Sequence, residues 1–186
     1  ALHSPDLRVV THPLDDPEWV DVERYWLLPN AARARLLVAV GSARVTQRLL
    51  TNYRRLRNSR TNAIRAGYGG LAAVGAPLSR DVLRVQVRRD NPAAAQLLPL
   101  HVIADTLGGL DLAMATGVRT SDNRKATLHL ADARSGAPVG YAKIGWTSAT
   151  DAMVRTESDA LLRLAGGSPT LRTPRLLAVA DYQGHP

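Results

Sequence analysis

Hydrophobic and polar positions alternate in several short segments of the chain, and this period of two predicts strands. The alternation is clear in "VLRVQVR" (82–88) and again in the last third, in "LDLAMATGVR", "ATLHLAD" and "VGYAKIGW". The turn residues "ARSGAP" separate the last two segments, so the last third predicts a three-stranded antiparallel meander. Two more strands are expected in "RYWLLP" and "RLLVAVG". The first twenty or so residues, interrupted by prolines and acids, predict an irregular arm with one short strand.

Other segments follow the helical period. From residue 42 to about 59, Val45, Leu49, Tyr53 and Leu56 recur at spacings of four, four and three, which predicts an amphipathic helix. The glycine-punctuated stretch "NSRTNAIRAGYGG" that follows predicts a loop or a frayed helix. A further helix is expected over 92–107, with a proline in its first turn and Pro99 kinking or dividing it.

The end of the chain predicts one more helix and one more strand. Ser148, with Asp151 three residues later, indicates the start of a helix, and Gly166 and Gly167 indicate its end. The stretch "TPRLLAVADYQG" then predicts a strand after a proline-led loop. The expected order of the last third is therefore strand, strand, strand, helix, strand.

Composition limits the class of protein. A chain of 186 residues with 45% hydrophobic content can form one large domain or two small ones. The absence of cysteine excludes disulfides and cysteine-based metal sites, and the apolar runs are far shorter than the ~20 residues of a membrane span. No signal-type amino terminus is visible. These features favour a cytoplasmic protein without a membrane span.

The net charge of +8 is concentrated in one segment. Between Glu23 and Asp81 there is no acidic residue, and this span contains eleven arginines, from Arg24 to Arg80. Such a segment attracts phosphates, nucleic acid or an anionic membrane surface. An arginine-rich face that is merely solvated is the alternative interpretation, and the sequence leaves both open.

Glu157 and Lys143 are the residues that point most directly to chemistry. At 100° per residue, Glu157 falls in the centre of an apolar helical stripe that includes Val154, Leu161 and Leu164. Burying a carboxylate there requires a compensating cation. Lys143, one of only two lysines in the chain, lies on the preceding predicted strand. We therefore expect Lys143 and Glu157 to form an ion pair.

Four motifs in this region resemble a known family. The segments "NRKATLHL", "GYAKIGW", "VRTESDALLRL" and "TPRLLAV" are similar to those of bacterial phosphotransferases related to the aminoglycoside phosphotransferases, which have a kinase-like fold. The resemblance covers about residues 105–186. It implies an α+β fold in which residues 1–104 form a basic N-terminal α/β extension. Residues 105–186 would then form a kinase-like nucleotide-binding small lobe, an antiparallel sheet with one covering helix.

The resemblance also implies roles for individual residues. Lys143 would contact the phosphates of ATP, and Glu157 would orient Lys143. The loop from Thr120 to Lys125 would cover the nucleotide. Phosphate contacts would come from four of its residues: Ser121, Asn123, Arg124 and Lys125. The implied cofactors are ATP and Mg²⁺, and the implied partner is a nucleotide; the arginines from Arg24 to Arg80 favour an anionic small-molecule substrate.

The sequence departs from the family where catalysis would occur. It contains no His-x-Asp-x-x-x-x-Asn loop and no later metal-binding Asp, which phosphoryl transfer requires. If the resemblance holds, the chain stops near the junction with a large lobe. ATP and Mg²⁺ would need that lobe for full binding, and the chain would not turn over alone. The alternatives are a nucleic-acid or anionic-surface binding module built on Arg24–Arg80, and a pseudokinase-like interaction scaffold.

Two nearby side chains carry structural expectations only. His129 alternates with Leu128 and Leu130 and is expected on the exposed face of its strand. Trp146 is expected to cap the sheet and to anchor the helix that follows it.

Overall fold

The fold is α+β. A computed structural model describes residues 4–12, 16–52, 59–118, 125–165 and 173–186. Within these ranges the strands are β1 (Leu7–Val10), β2 (Trp19–Leu28), β3 (Leu36–Ala39), β4 (Val82–Arg88), β5 (Leu112–Gly117), β6 (Ala126–Asp132) and β7 (Pro138–Ile144). The α-helices are α1 (Ala43–Thr51), α2 (Ser59–Ala73), α3 (Pro99–Thr106) and α4 (Ser148–Leu164). Short 3₁₀ helices span Ala31–Arg33 and Pro92–Leu97.

All seven strands form one antiparallel sheet in the order β1-β4-β2-β3-β5-β6-β7. Strands β5, β6 and β7 form the meander that the alternating segments predict. The sheet is continuous across residue 104, because β3 pairs with β5 and places Leu37 opposite Thr116. The two segments expected as extension and small lobe therefore share their central hydrogen-bonded ladder.

Helices cover both faces of the sheet. On one face, Val45 and Leu49 of α1 pack on Leu36 and Val38 of β3, and the same core takes in Ala115 of β5. On the other face, Ala94, Ala95 and Leu98 pack on Tyr25 and Val87. Because successive strand residues point to opposite faces, β3 contributes to both cores, with Leu36 and Val38 in the first and Leu37 in the second. The β5–β7 end of this sheet is held in place by α1 on one face.

Three expectations about secondary structure need correction. The stretch expected as a loop or frayed helix contains α2, a helix of 15 residues. The predicted strand in "TPRLLAVADYQG" is absent, because residues 173–180 have no ladder partner among the described residues. Helix α4 begins after Thr147 rather than being capped through Ser148. A fourth expectation is confirmed, since the helical segment over 92–107 is divided at Leu98, next to Pro99.

Candidate functional site

The site begins where β7 passes into α4. Thr147 caps the helix by accepting a hydrogen bond from the backbone N of Thr150 at 3.2 Å. The hydroxyl of Thr150, which is fully buried, accepts from the backbone N of Trp146 and of Thr147, each at 2.9 Å. This reciprocal capping fixes the direction in which α4 leaves the strand. It thereby sets where the carboxylate of Glu157, two turns further along, meets the sheet.

Glu157 contacts both lysines of the chain. Its Oε1 accepts a hydrogen bond from Nζ of Lys143, and its Oε2 accepts one from Nζ of Lys125. The first pair is the one that the helical stripe and the preceding strand predict. Lys143 lies on β7, and Lys125 directly precedes β6. The two lysines are close because Thr127, two residues after Lys125, is opposite Lys143 in the β6–β7 ladder. One carboxylate therefore holds two cations side by side.

The electrostatics favour the charged carboxylate. Burial raises the pKa of Glu157, but the hydrogen bonds and positive charges of Lys125 and Lys143 outweigh burial and lower the pKa below its usual value. The side chains of Lys143 and Glu157 are still 33% and 35% exposed. Lys125 is more buried, at 18% exposure. The three groups carry a net charge of +1 and remain accessible to an anion from solvent.

These three side chains line a cavity with a volume of about 1180 Å³. Its walls come from α3, β5–β7, α4 and the C-terminal segment 174–186. Most of the wall is apolar, including Ala142 and Ile144 of β7 and Val154 of α4. A cavity that is apolar over most of its wall and lined by a few charged side chains suits a ligand with an apolar part and an anionic part.

The C-terminal segment closes one side of this cavity without forming a strand. Leu177 lies over Gly140, where an added Cβ would come within 3.3 Å of the leucine Cδ1. Pro186 accepts a hydrogen bond from the backbone N of Gly145 at 3.1 Å. Nδ1 of His185 lies 3.0 Å from Oδ2 of Asp151, which is 8% exposed. No sequence pattern predicts this pair, because its members are 34 residues apart and follow no motif.

The remaining predicted site residues have mixed outcomes. Ser121, Asn123 and Arg124 lie outside the described residues. Lys125, expected as a phosphate contact of the loop, is held by Glu157. The ring of Trp146 is 42% exposed and lines the cavity, and its backbone, through Thr150, connects to α4.

The expectation for His129 was wrong. Its side chain is 2% exposed and stacks on Tyr141, with ring centroids 5.2 Å apart. Burial lowers the pKa of His129, although a hydrogen bond with the backbone of Leu49 opposes that shift. Because α1 covers this face of β6 while Leu128 and Leu130 are buried on the other, both faces of the strand are buried here, and alternation cannot mark an exposed one.

Comparison with known proteins adds no assignment. No protein-family model, no curated protein and no solved structure matches the chain. Across the described ranges, no group of three or more His, Cys, Asp or Glu residues could hold a metal ion. None of the helices in those ranges is long and apolar enough to cross a membrane.

Proposed function

We propose that residues 105–186 bind ATP through its phosphates, as the small lobe of a kinase-like small-molecule phosphotransferase, and that residues 1–104 are its N-terminal extension. The observation that carries the proposal is the position of Glu157 between Lys143 and Lys125 in the wall of a large, mostly apolar cavity. The four family-like motifs support it. Because ATP is the ligand, we place the protein in the cytoplasm.

Lys143 has the central role in this proposal. A phosphate oxygen needs a fixed cation, and a lysine ammonium serves as a point charge once its stem is held. Glu157 supplies the hold from α4, as a positioning residue. With 33% of its side chain exposed, Lys143 can exchange part of its contact with Glu157 for a phosphate oxygen. Lys125 provides a second cation on the same carboxylate and would contact the same phosphate chain.

The described residues fit the nucleotide better than they fit the metal. The apolar side chains of the cavity wall suit a purine, and the lysines suit the phosphates. Bound ATP would supply the phosphoryl group to be transferred. Mg²⁺ would need carboxylate ligands, and the described ranges contain no such cluster. We therefore propose nucleotide binding for this chain, and assign it no transfer step; the acceptor would be an anionic small molecule.

The test is a titration of the purified chain with ATP, followed by calorimetry, with and without Mg²⁺. We expect binding in both conditions and weaker binding of AMP, since the phosphates make the main contacts. Lys143→Ala should weaken ATP binding at least roughly tenfold, because a hydrogen bond to a charged group contributes about 1.5–3 kcal/mol. Glu157→Gln should weaken it less.

The matched control is Arg155→Ala, which removes an exposed cation from the same helix, two residues before Glu157. It should bind ATP as the unaltered chain does, and circular dichroism should show that all variants are folded. If the chain binds no ATP, or if Lys143→Ala and Arg155→Ala behave alike, the nucleotide function is wrong. The first result, with a folded chain, would leave the pseudokinase-like scaffold as the better interpretation.

A further inference from the structure

Helix α2 presents its apolar side to solvent. The side that packs on α1 carries Tyr68, Gly69 and Ala72, and Cγ2 of Thr51 would lie 3.0 Å from a Cβ added to Gly69. The opposite side is exposed. Its residues from 63 to 74 are Ala63, Ile64, Ala66, Gly67, Gly70, Leu71, Ala73 and Val74, the last just past the helix end.

No residue of this exposed set has a polar side chain, whereas Thr61, Asn62 and Arg65 are half-buried on the inner side. Ile64, Leu71 and Val74 are 53%, 46% and 79% exposed. A surface helix normally has the opposite arrangement. A contiguous apolar patch of this kind on a surface marks an interaction site. Gly67 and Gly70 leave open space around the helix, since an added Cβ at either would meet nothing within 4 Å.

The chain segment that contains this patch has charge of one sign. Every charged residue from Arg24 to Arg80 is an arginine. Among them Arg33, Arg35, Arg44, Arg48 and Arg80 are exposed. An apolar helix face within an exclusively basic segment matches a surface that is anionic outside and apolar beneath. That description fits the interface of an anionic lipid bilayer.

Two other occupants fit less well. A second copy of the chain would bring the same basic segment against this one, and like charges across a symmetric contact repel. Nucleic acid would use the arginines, but binding of single strands relies on aromatic stacking and duplex interfaces are polar. The exposed residues 63–74 of α2 offer no aromatic ring and no hydrogen-bonding side chain.

We propose that the outer face of α2, defined by Ile64, Leu71 and Val74, docks the protein on anionic membrane surfaces without spanning them. The helix lies in the plane of the interface, its apolar side chains enter the headgroup boundary, and the arginines contact lipid phosphates. Three glycines within α2 weaken it as an isolated helix. Lipid contact therefore stabilises a segment that propensity alone supports poorly.

The experiment is sedimentation of the chain with vesicles of phosphatidylcholine alone and of phosphatidylcholine with 30 mol% phosphatidylglycerol, about a third anionic lipid. We expect binding to the anionic vesicles, and weakening by added salt. Leu71→Asp with Val74→Asp should reduce the partition coefficient at least roughly tenfold, because each apolar side chain no longer enters lipid and each carboxylate is repelled. Val74→Asp alone should give part of this loss without disturbing the helix, which ends before it.

Two control variants match these changes. Val9→Asp alters another exposed valine, 62% exposed on β1 against 79% for Val74, and should leave binding unchanged. Gly70→Ala keeps the face apolar and should keep or strengthen binding. The Leu71→Asp, Val74→Asp variant should still bind ATP, because neither residue lines the cavity of Lys143 and Glu157. An ATP titration of this variant therefore tests membrane docking and nucleotide binding independently.

Three outcomes would overturn the proposal. The first is equal binding to neutral and anionic vesicles, or none to either. The second is that Val9→Asp and Val74→Asp weaken binding equally. The third is a dimer in analytical ultracentrifugation, or an RNA or DNA complex, that accounts for the surface while the vesicles are not bound. In that case α2 serves another partner.

Discussion

Helices α1 and α4 both lie against the seven-stranded sheet, but they bury different kinds of side chain. Helix α1 has 9 residues and buries Val45, Thr46, Leu49 and Leu50. Helix α4 has 17 residues and buries only Thr150, Asp151 and Val154. The shorter helix is thus fixed along its whole length. The longer one is packed through its first two turns, and its remaining turns contain no fully buried side chain.

The exposed part of α4 is the part that carries Glu157. Val154 is buried and Leu161 is half-buried, but Met153 and Leu164, on the same predicted apolar stripe, are 46% and 45% exposed. The half-covered stripe leaves one side of Glu157 and its lysines open to the cavity. A fully packed helix would bury the ion pair and prevent a ligand from reaching it. Helix α1 therefore stabilises the fold, and α4 positions the site.

The largest effect should come from truncating the α1 core. Leu49 is completely buried, so Leu49→Ala removes packed atoms and leaves a cavity, which should lower the free energy of unfolding by about 2–5 kcal/mol. Leu162→Ala, at a site on α4 that is 58% exposed, should change it by less than about 0.5 kcal/mol. Urea unfolding of both variants measures the difference. Equal losses would mean that α4 is as firmly packed as α1.

A smaller effect should come from the start of α4. In Gly145→Ala the new Cβ would overlap Oδ1 of Asp151 and lie 3.0 Å from its Cα and backbone N. Because two of these atoms belong to the helix backbone, the first turn must move, and we expect a loss of about 1–3 kcal/mol. Near-ultraviolet dichroism of the adjacent Trp146 should change as well.

Gly70→Ala is the matched control for this substitution, since nothing lies within 4 Å of its added Cβ. It should leave the thermal midpoint unchanged or slightly higher, because alanine favours a helix over glycine. If Gly145→Ala lowers stability no more than Gly70→Ala does, the junction between β7 and α4 can adjust to the added methyl group despite its close contacts. The role of α4 as a positioning element would then fail.

The sequence predicts the elements whose signals are local. Strands β4, β5, β6 and β7 follow from alternation, and the pairing of Lys143 with Glu157 follows from the helical period and the preceding strand. Each of these predictions rests on residues in the same element or in the next one along the chain. The family resemblance, and the ATP and Mg²⁺ sites it implies, stay predictions.

Contacts between distant segments could not be predicted in this way. The burial of His129 depends on α1, some eighty residues earlier, and the continuity of the sheet depends on β3 pairing with β5. The sequence predicts only a loop or a frayed helix where α2 forms, because its apolar residues lie on the exposed side and its glycines resemble those of a loop. The C-terminal segment is apolar enough for a strand, but it covers the cavity and takes no ladder position.

The smallest expected effect is on the pH dependence of stability, which should differ between His129, packed under α1, and Glu157 on α4. Because the pKa of buried His129 is lowered, the unfolded chain takes up this proton first as pH falls. The stability that neutral His129 contributes is therefore complete above about pH 6.5 and is lost as pH falls toward its folded pKa, with a slope of at most about 1.4 kcal/mol per pH unit. His129→Gln should flatten the stability profile in that range, measured by urea unfolding between pH 7 and 5, a span chosen around the ordinary histidine pKa of about 6.5.

Glu157 should not contribute to that slope. Its pKa is also lowered, but from the lower ordinary value of a carboxyl, so its stabilisation is complete above about pH 4.3 and is lost only as pH falls further. Glu157→Gln should therefore change the profile below that pH and leave the histidine range unaltered. His12→Gln, at an exposed position, is the control for the histidine substitution. If His129→Gln and His12→Gln alter the stability profile equally, His129 is not buried under α1.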